Sequence, residues 1–131
     1  MDSADLPSLP RLRITPEDAR RVGVPDGHLS APALSHGTME VRWYQPQDTD
    51  PQTPHDRDEL YVVVSGTALF IRADESLPFA DTAIRVGGEE KVSVQPGDVL
   101  FVPAGTEHRF EAMSPDFGTW MMFWGPEGGE R

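Results

Sequence analysis

Residues 97–112 read Gly97-Asp98-Val99-Leu100-Phe101-Val102-Pro103-Ala104-Gly105-Thr106-Glu107-His108-Arg109-Phe110-Glu111-Ala112, or GDVLFVPAGTEHRFEA. A Pro96-Gly97-Asp98 turn opens onto the short apolar run VLFVP. A second turn, Pro103-Ala104-Gly105, closes that run, and a histidine stands at the head of the next one, HRFEAM. Proline and glycine at these places stop any helix and favour tight reversals, so the stretch predicts two short strands joined by turns.

The same grammar extends in both directions. TMEVRWYQ alternates Met39, Val41 and Trp43 with Glu40, Arg42 and Tyr44, a period of two. LYVVVS, TALFIRA, TAIRV, KVSVQ and GTWMMFW complete a series of short strands, with Gly66 dividing LYVVVS from TALFIRA. Thirteen prolines and twelve glycines among 131 residues suit such a chain and not a helical bundle. An all-β sandwich or small barrel in one domain is expected. Residues 73–81, ADESLPFAD, are too polar and interrupted for a strand and read as a surface loop.

Ahead of the strands the pattern differs. Residues 1 to about 14 read as an arm, and ITPEDARRVGV predicts one short helix. Thr15 supplies the N-cap, Pro16 the first helical position, Glu17 and Asp18 the acidic first turn, Arg20 and Arg21 the basic last turn, and Gly23 the stop. The organisation expected is an arm and helix over 1–35 and a barrel over 36–131.

Eleven basic against twenty-two acidic residues give a net charge of −11, which repels phosphate backbones and anionic lipid surfaces. Neither nucleic acid nor membrane is an expected partner. The N-terminus lacks a basic-then-apolar signal pattern, and no apolar run approaches the roughly 18 residues of a membrane span. A cytoplasmic location is expected. With no cysteine, any metal must be held by nitrogen and oxygen.

One polar cluster runs straight into a strand: QTPHDRDELYVVVSG, residues 52–66. If the backbone is regular there, Thr53, His55 and Glu59 share a face that Tyr61 and Val63 continue. With His108 these residues make a two-histidine, one-carboxylate set, which suits a divalent Fe, Mn, Ni or Zn ion with coordination positions left open. Spacing alone does not bring the strands together. Histidine at a barrel mouth also serves simply as a hydrogen-bonding group, and glutamate before a strand as a solvated edge.

The residues resemble the two motifs of the cupin superfamily, in its small single-domain form. Glu59, six residues and Gly66 match the second half of the first motif, with His55 where its second histidine falls. Gly97, five residues, Pro103-Ala104-Gly105, two residues and His108 match the second motif. The resemblance covers about residues 36 to 125. It implies a double-stranded β-helix (jelly-roll) barrel in which His55, Glu59 and His108 converge on one metal ion. Two positions depart from the pattern: Thr53 stands in place of the first histidine, and Ala112 in place of the closing asparagine. Gln52 or His36 is then a candidate for the vacant ligand place.

The resemblance further implies a small metalloenzyme acting on a small organic molecule, dioxygenase-like or, alternatively, a redox-neutral isomerase or lyase. A non-enzymatic barrel for a sugar or other small ligand is the reading from another class. Tyr61 is the candidate catalytic residue, since in cupin lyases that cleave dimethylsulfoniopropionate a tyrosine near the metal serves as base. Arg42 and Arg57 are candidate forks for a substrate carboxylate. Phe70, Phe101, Phe110, Trp120 and Met122 are candidates to line an apolar pocket. His28 is expected to be exposed. Because both faces of TWMMFW are apolar, one is expected inside the barrel and the other against the arm or a second subunit, as in cupin homodimers.

Overall fold

The helix forms where its caps place it. In the computed structural model, which describes residues 13–73 and 83–130, α1 spans Pro16–Val22. The Thr15 hydroxyl accepts from the Asp18 N–H, and the Asp18 carboxylate accepts from the Thr15 N–H, both at 3.1 Å. This reciprocal pair satisfies two donors that a helix start leaves orphaned. Gly23 ends the helix with φ near +74°.

Strands follow in the order β1 Ala31–His36, β2 Met39–Tyr44, β3 Asp58–Ser65, β4 Ala68–Arg72, β5 Ile84–Val86, β6 Glu89–Val94, β7 Val99–Val102, β8 His108–Glu111 and β9 Gly118–Trp124. They form two antiparallel sheets, β1-β2-β9-β3-β7 and β5-β6-β4-β8, in the double-stranded β-helix arrangement. Residues 74–82, which hold nearly all of the loop expected at 73–81, lie outside the described residues, as does most of the arm. No described helix is long and apolar enough to cross a membrane.

β1, APALSH, is a strand that carries a proline. Proline cannot donate to a ladder, but β1 is an edge strand, and its register shifts between Pro32 and Leu34. An edge with a bulge is where a sheet accepts proline.

The main core lies between the sheets, and the registers show which face of each strand enters it. Tyr61, Val63, Phe70, Phe110, Phe117, Val102 and Leu100 meet there, together with Tyr44 and Met121. Each fully buried phenylalanine contributes roughly 1.5–3 kcal/mol by leaving water. On β2, therefore, the inward face is Glu40, Arg42 and Tyr44, not the more apolar Met39, Val41 and Trp43. Trp43 instead packs outside the five-stranded sheet, under α1, with Ala19, Ala31, Ile14 and Trp120. Its ring meets that of Trp120 edge-on at 5.0 Å, and the Arg20 guanidinium lies over it at 4.9 Å.

Gly66 turns β3 into β4 with φ near +70°. A Cβ there would stand 2.6 Å from the backbone of Phe117. The glycine is demanded by conformation and by the closeness of a neighbouring chain segment.

Candidate metal centre

Strand geometry delivers three of the functional side chains. Asp58 begins β3, so Glu59 and Tyr61 are its inward residues, both fully buried. Glu59 pairs across β7 with Val102 and across β9 with Phe123. On the opposite sheet, His108 opens β8, is buried and pairs with Arg72. Asp58 ties the two sides together: its carboxylate accepts the backbone N–H groups of Ala104, in the turn before His108, and of Glu130.

His55 arrives differently. Residues 56–57 bend, so the strand face expected to run from Thr53 to Glu59 is interrupted. The loop holds His55 instead. Its backbone carbonyl accepts the Gly105 N–H at 2.6 Å, and its ring packs edge-on against His108 at 4.9 Å and Phe123 at 4.8 Å.

The three groups meet at one point. Glu59 Oε1 lies 2.7 Å from His55 Nε2 and 3.0 Å from His108 Nε2. The other ring nitrogens face backbone carbonyls: His55 Nδ1 that of Arg57 at 2.9 Å, and His108 Nδ1 that of Thr106 at 2.8 Å. A carbonyl only accepts, so in each neutral ring the proton belongs on Nδ1 and Nε2 is a bare lone pair. Two lone pairs aimed at one carboxylate oxygen repel unless a cation, a proton or a metal ion, lies among them. Glu59 Oε2 is buried without a hydrogen-bond partner. An orphaned carboxylate oxygen beside two oriented imidazoles is the donor set of a divalent ion, with the carbonyls supporting the ligands from behind. Among the described residues, this is the one group of three or more histidines or carboxylates whose ligand atoms gather within 4.8 Å.

The charges respond to the same packing. Burial pulls the His55 imidazole down, and the Glu59 carboxylate, together with the Arg57 carbonyl and the Asp56 charge, more than offsets it, leaving its pKa raised. Burial pushes Glu59 up, and hydrogen bonds from His108 and His55 more than offset that, leaving its pKa lowered. Tyr61 is driven well above the phenol range, by burial first and then by the charges of Glu59 and Asp50. Its hydroxyl lies 3.2 Å from His108 Nε2.

A pocket of about 320 Å³ opens beside His55, lined by Ser30, Glu40, Arg42, Gln52, Thr53 and Phe123 among others. His28, exposed as expected, also reaches its rim. Arg42 is in the pocket but engaged, donating to Glu40 at 2.8 Å and to the Ser30 hydroxyl at 2.6 Å. Arg57 donates to the same Glu40 at 2.9 Å and lies over the Phe123 ring. The two arginines therefore share one carboxylate.

Several expected pocket residues fall elsewhere. Phe101 is on the outer face of β7, 37% exposed and beside Trp124, because its neighbours Leu100 and Val102 take the inward positions. Phe110 is inside but belongs to the core beneath Tyr61, their rings 5.0 Å apart, and Phe70 joins it there. Trp120 and Met122 face outward, and Met121 and Phe123 take the inner face of β9. His36 ends β1, exposed, opposite Met39. The sequence reading missed Glu40 and Asp50. Glu40 was visible as one of three polar or aromatic residues on the less apolar face of β2. Asp50 lies in an irregular segment with no periodic signal.

Two facing antiparallel sheets with this cluster at one mouth define a small double-stranded β-helix domain with a candidate metal centre. No family model matches the chain. An uncharacterized protein of Streptomyces coelicolor is 40% identical over 79 residues, a segment spanning 60% of this chain and 61% of that protein. Among solved structures, a protein with a double-stranded β-helix domain from Klebsiella pneumoniae superposes over 87% of this chain and 90% of its own, with TM-score 0.61 and 14% identity. A cupin superfamily protein from Desulfitobacterium hafniense does so over 91% and 96%, with TM-score 0.52 and 21% identity. The DMSP lyase DddQ from Ruegeria pomeroyi does so over 86% and 55%, with TM-score 0.51 and 20% identity. At these identities the likeness carries the fold.

Proposed function

We propose that the chain is a small metal-dependent enzyme, in which His55, Glu59 and His108 hold one divalent ion and a small organic molecule reaches it through the pocket beside His55. The observation that carries this reading is the convergence of two oriented Nε2 atoms on one buried carboxylate. An ion held by three protein ligands keeps open positions for a substrate oxygen and, where it is iron, for O₂, the basis of oxygenase chemistry. The chain's own residues do the rest. Met121 and Phe123 form an apolar wall that keeps water from one side. Arg42 and Arg57, sharing Glu40, leave one net positive charge for a substrate carboxylate.

A redox-neutral lyase or isomerase is the second reading. It is favoured by the Tyr61 hydroxyl within reach of His108, a polar group placed to hold a water that handles a proton.

Metal analysis of protein purified without tag or chelator tests the first step. Near-stoichiometric metal that disappears in His108→Ala and Glu59→Gln supports the centre. Uptake of O₂ with iron but not zinc, over a panel of small hydroxy and keto acids, selects the oxygenase. Turnover without O₂ selects the redox-neutral enzyme. A wild type that takes up no iron, manganese, nickel or zinc under anaerobic loading overturns both and leaves a small-ligand binding barrel.

A further inference from the structure

The chain contains two tyrosines, and both enter one polar network. Asp50 is its centre. Oδ1 accepts the Tyr44 hydroxyl and the Gln52 backbone N–H, the latter at 3.2 Å. Oδ2 accepts the Gln52 side-chain Nε2 at 2.6 Å and the Phe110 backbone N–H at 2.7 Å. Four donors fill this carboxylate, so it has no proton to give.

The orientation of Gln52 follows. Its Nε2 is committed to Asp50, so its Oε1 is the atom that faces Tyr61, 2.9 Å from the hydroxyl oxygen. An amide oxygen only accepts, and at 2.9 Å it lies closer to the hydroxyl than His108 Nε2 at 3.2 Å, so the Tyr61 proton lies on the bond to Gln52. What Tyr61 turns toward His108 Nε2, 3.2 Å away, is then a lone pair.

We infer that Gln52, oriented by Asp50, is a positioning residue that draws the Tyr61 proton away from the metal place and presents the phenol oxygen there as an acceptor. Two consequences follow. Gln52 does not fill the ligand place left by Thr53, because both ends of its amide are engaged. For Tyr61 to act as a base it would first have to give its proton to an amide oxygen that does not hold one. Its role is instead to accept a hydrogen bond from an O–H group, of water or of a hydroxyl-bearing ligand, at the centre, and proton removal falls to water. The functional part of this inference rests on the proposed metal centre, whereas the orientation belongs to the metal-free chain.

Ultraviolet resonance Raman spectroscopy of metal-free protein tests the orientation directly. The wild-type minus Tyr61→Phe difference isolates Tyr61, whose Fermi doublet distinguishes a donating phenol from an accepting one. The expected wild-type pattern is that of a donor, the lower-frequency band the stronger. Gln52→Met keeps the side-chain length, removes the nearer acceptor and is expected to weaken the lower-frequency band relative to the upper one. An accepting pattern in the wild type, or an unchanged doublet in folded Gln52→Met, overturns the inference. Should Gln52→Met not fold, His108→Ala removes the other acceptor instead: a donor doublet that persists there keeps the proton on Gln52, and its loss overturns the inference. Cobalt(II) binding to the wild type, read by its visible bands, reports the metal centre separately, so its failure is distinguishable from a failure of the orientation.

Discussion

The backbone N–H of Gly105 donates to the carbonyl of His55 at 2.6 Å, joining the turn that leads into β8 to the loop that precedes β3. The two halves of the site are thus fixed to each other through main chain, independently of any ion. Gly105 has φ near +80° and open space where a Cβ would go.

Gly105→Ala is therefore expected to cost about 1–2 kcal/mol, the strain of a left-handed residue bearing a side chain. Because relief of that strain moves the His55 carbonyl, metal affinity should fall by more than stability does. Chemical denaturation and metal titration of the one variant measure the two effects together. Equal loss in both would mean that the turn does not position His55.

Glu59→Gln is nearly isosteric and can donate to one bare Nε2, so the variant should fold. Its metal affinity should fall by more than the roughly 10–100-fold typical of losing a supporting residue. Calorimetry with zinc or cobalt on folded variant protein checks this, with His108→Ala as the matching removal of a nitrogen ligand.

The two perturbed groups set a pH window. His55 is raised above its ordinary 6.5, so its contribution to metal-free stability is complete below 6.5 and is lost as pH rises through the folded value. Glu59 is lowered below its ordinary 4.5, so its contribution is complete above 4.5 and is lost as pH falls through the folded value. Metal-free protein should gain most from this pair between 4.5 and 6.5. Metal affinity should instead rise with pH through the His55 range, because the ion displaces the proton. Urea midpoints inside and above the window, with and without zinc, should diverge in that direction.

Gly66→Ala should be more disruptive than Gly105→Ala, since backbone strain is joined by contact at 2.6 Å with the Phe117 main chain. Loss of well over the roughly 1–2 kcal/mol of conformational strain is expected. The melting temperature should drop while the folded fraction keeps its metal affinity, because Phe117 packs in the core and is not among the residues lining the site's pocket.

What was legible in the sequence had a local cause. Helix α1 was readable from Thr15 to Gly23 because capping is chemistry between near neighbours. His108 was readable because two turns fix where β8 begins. The faces of β9 were not readable, since tryptophan, methionine and phenylalanine occupy both. They follow only from pairing: Glu59 lies opposite Phe123, and residues paired across a sheet share a face, so the odd-numbered residues of β9 turn inward. The same long-range information places Phe101 outside. The Asp50–Gln52 network arises from an irregular loop folding over a core residue, and no periodicity records that.

The outward turn of Trp43, Trp120 and Trp124 sorts the chromophores of this protein by face. All three tryptophans lie on the outer side of the five-stranded sheet, Trp43 and Trp120 beneath α1 and Trp124 beside Phe101, whereas both tyrosines lie inside. Emission excited at the indole edge therefore reports undocking of the helix and changes on the outer face, and tyrosine bands report the barrel interior. A single sample can reveal whether the outer layer loosens before the site is lost.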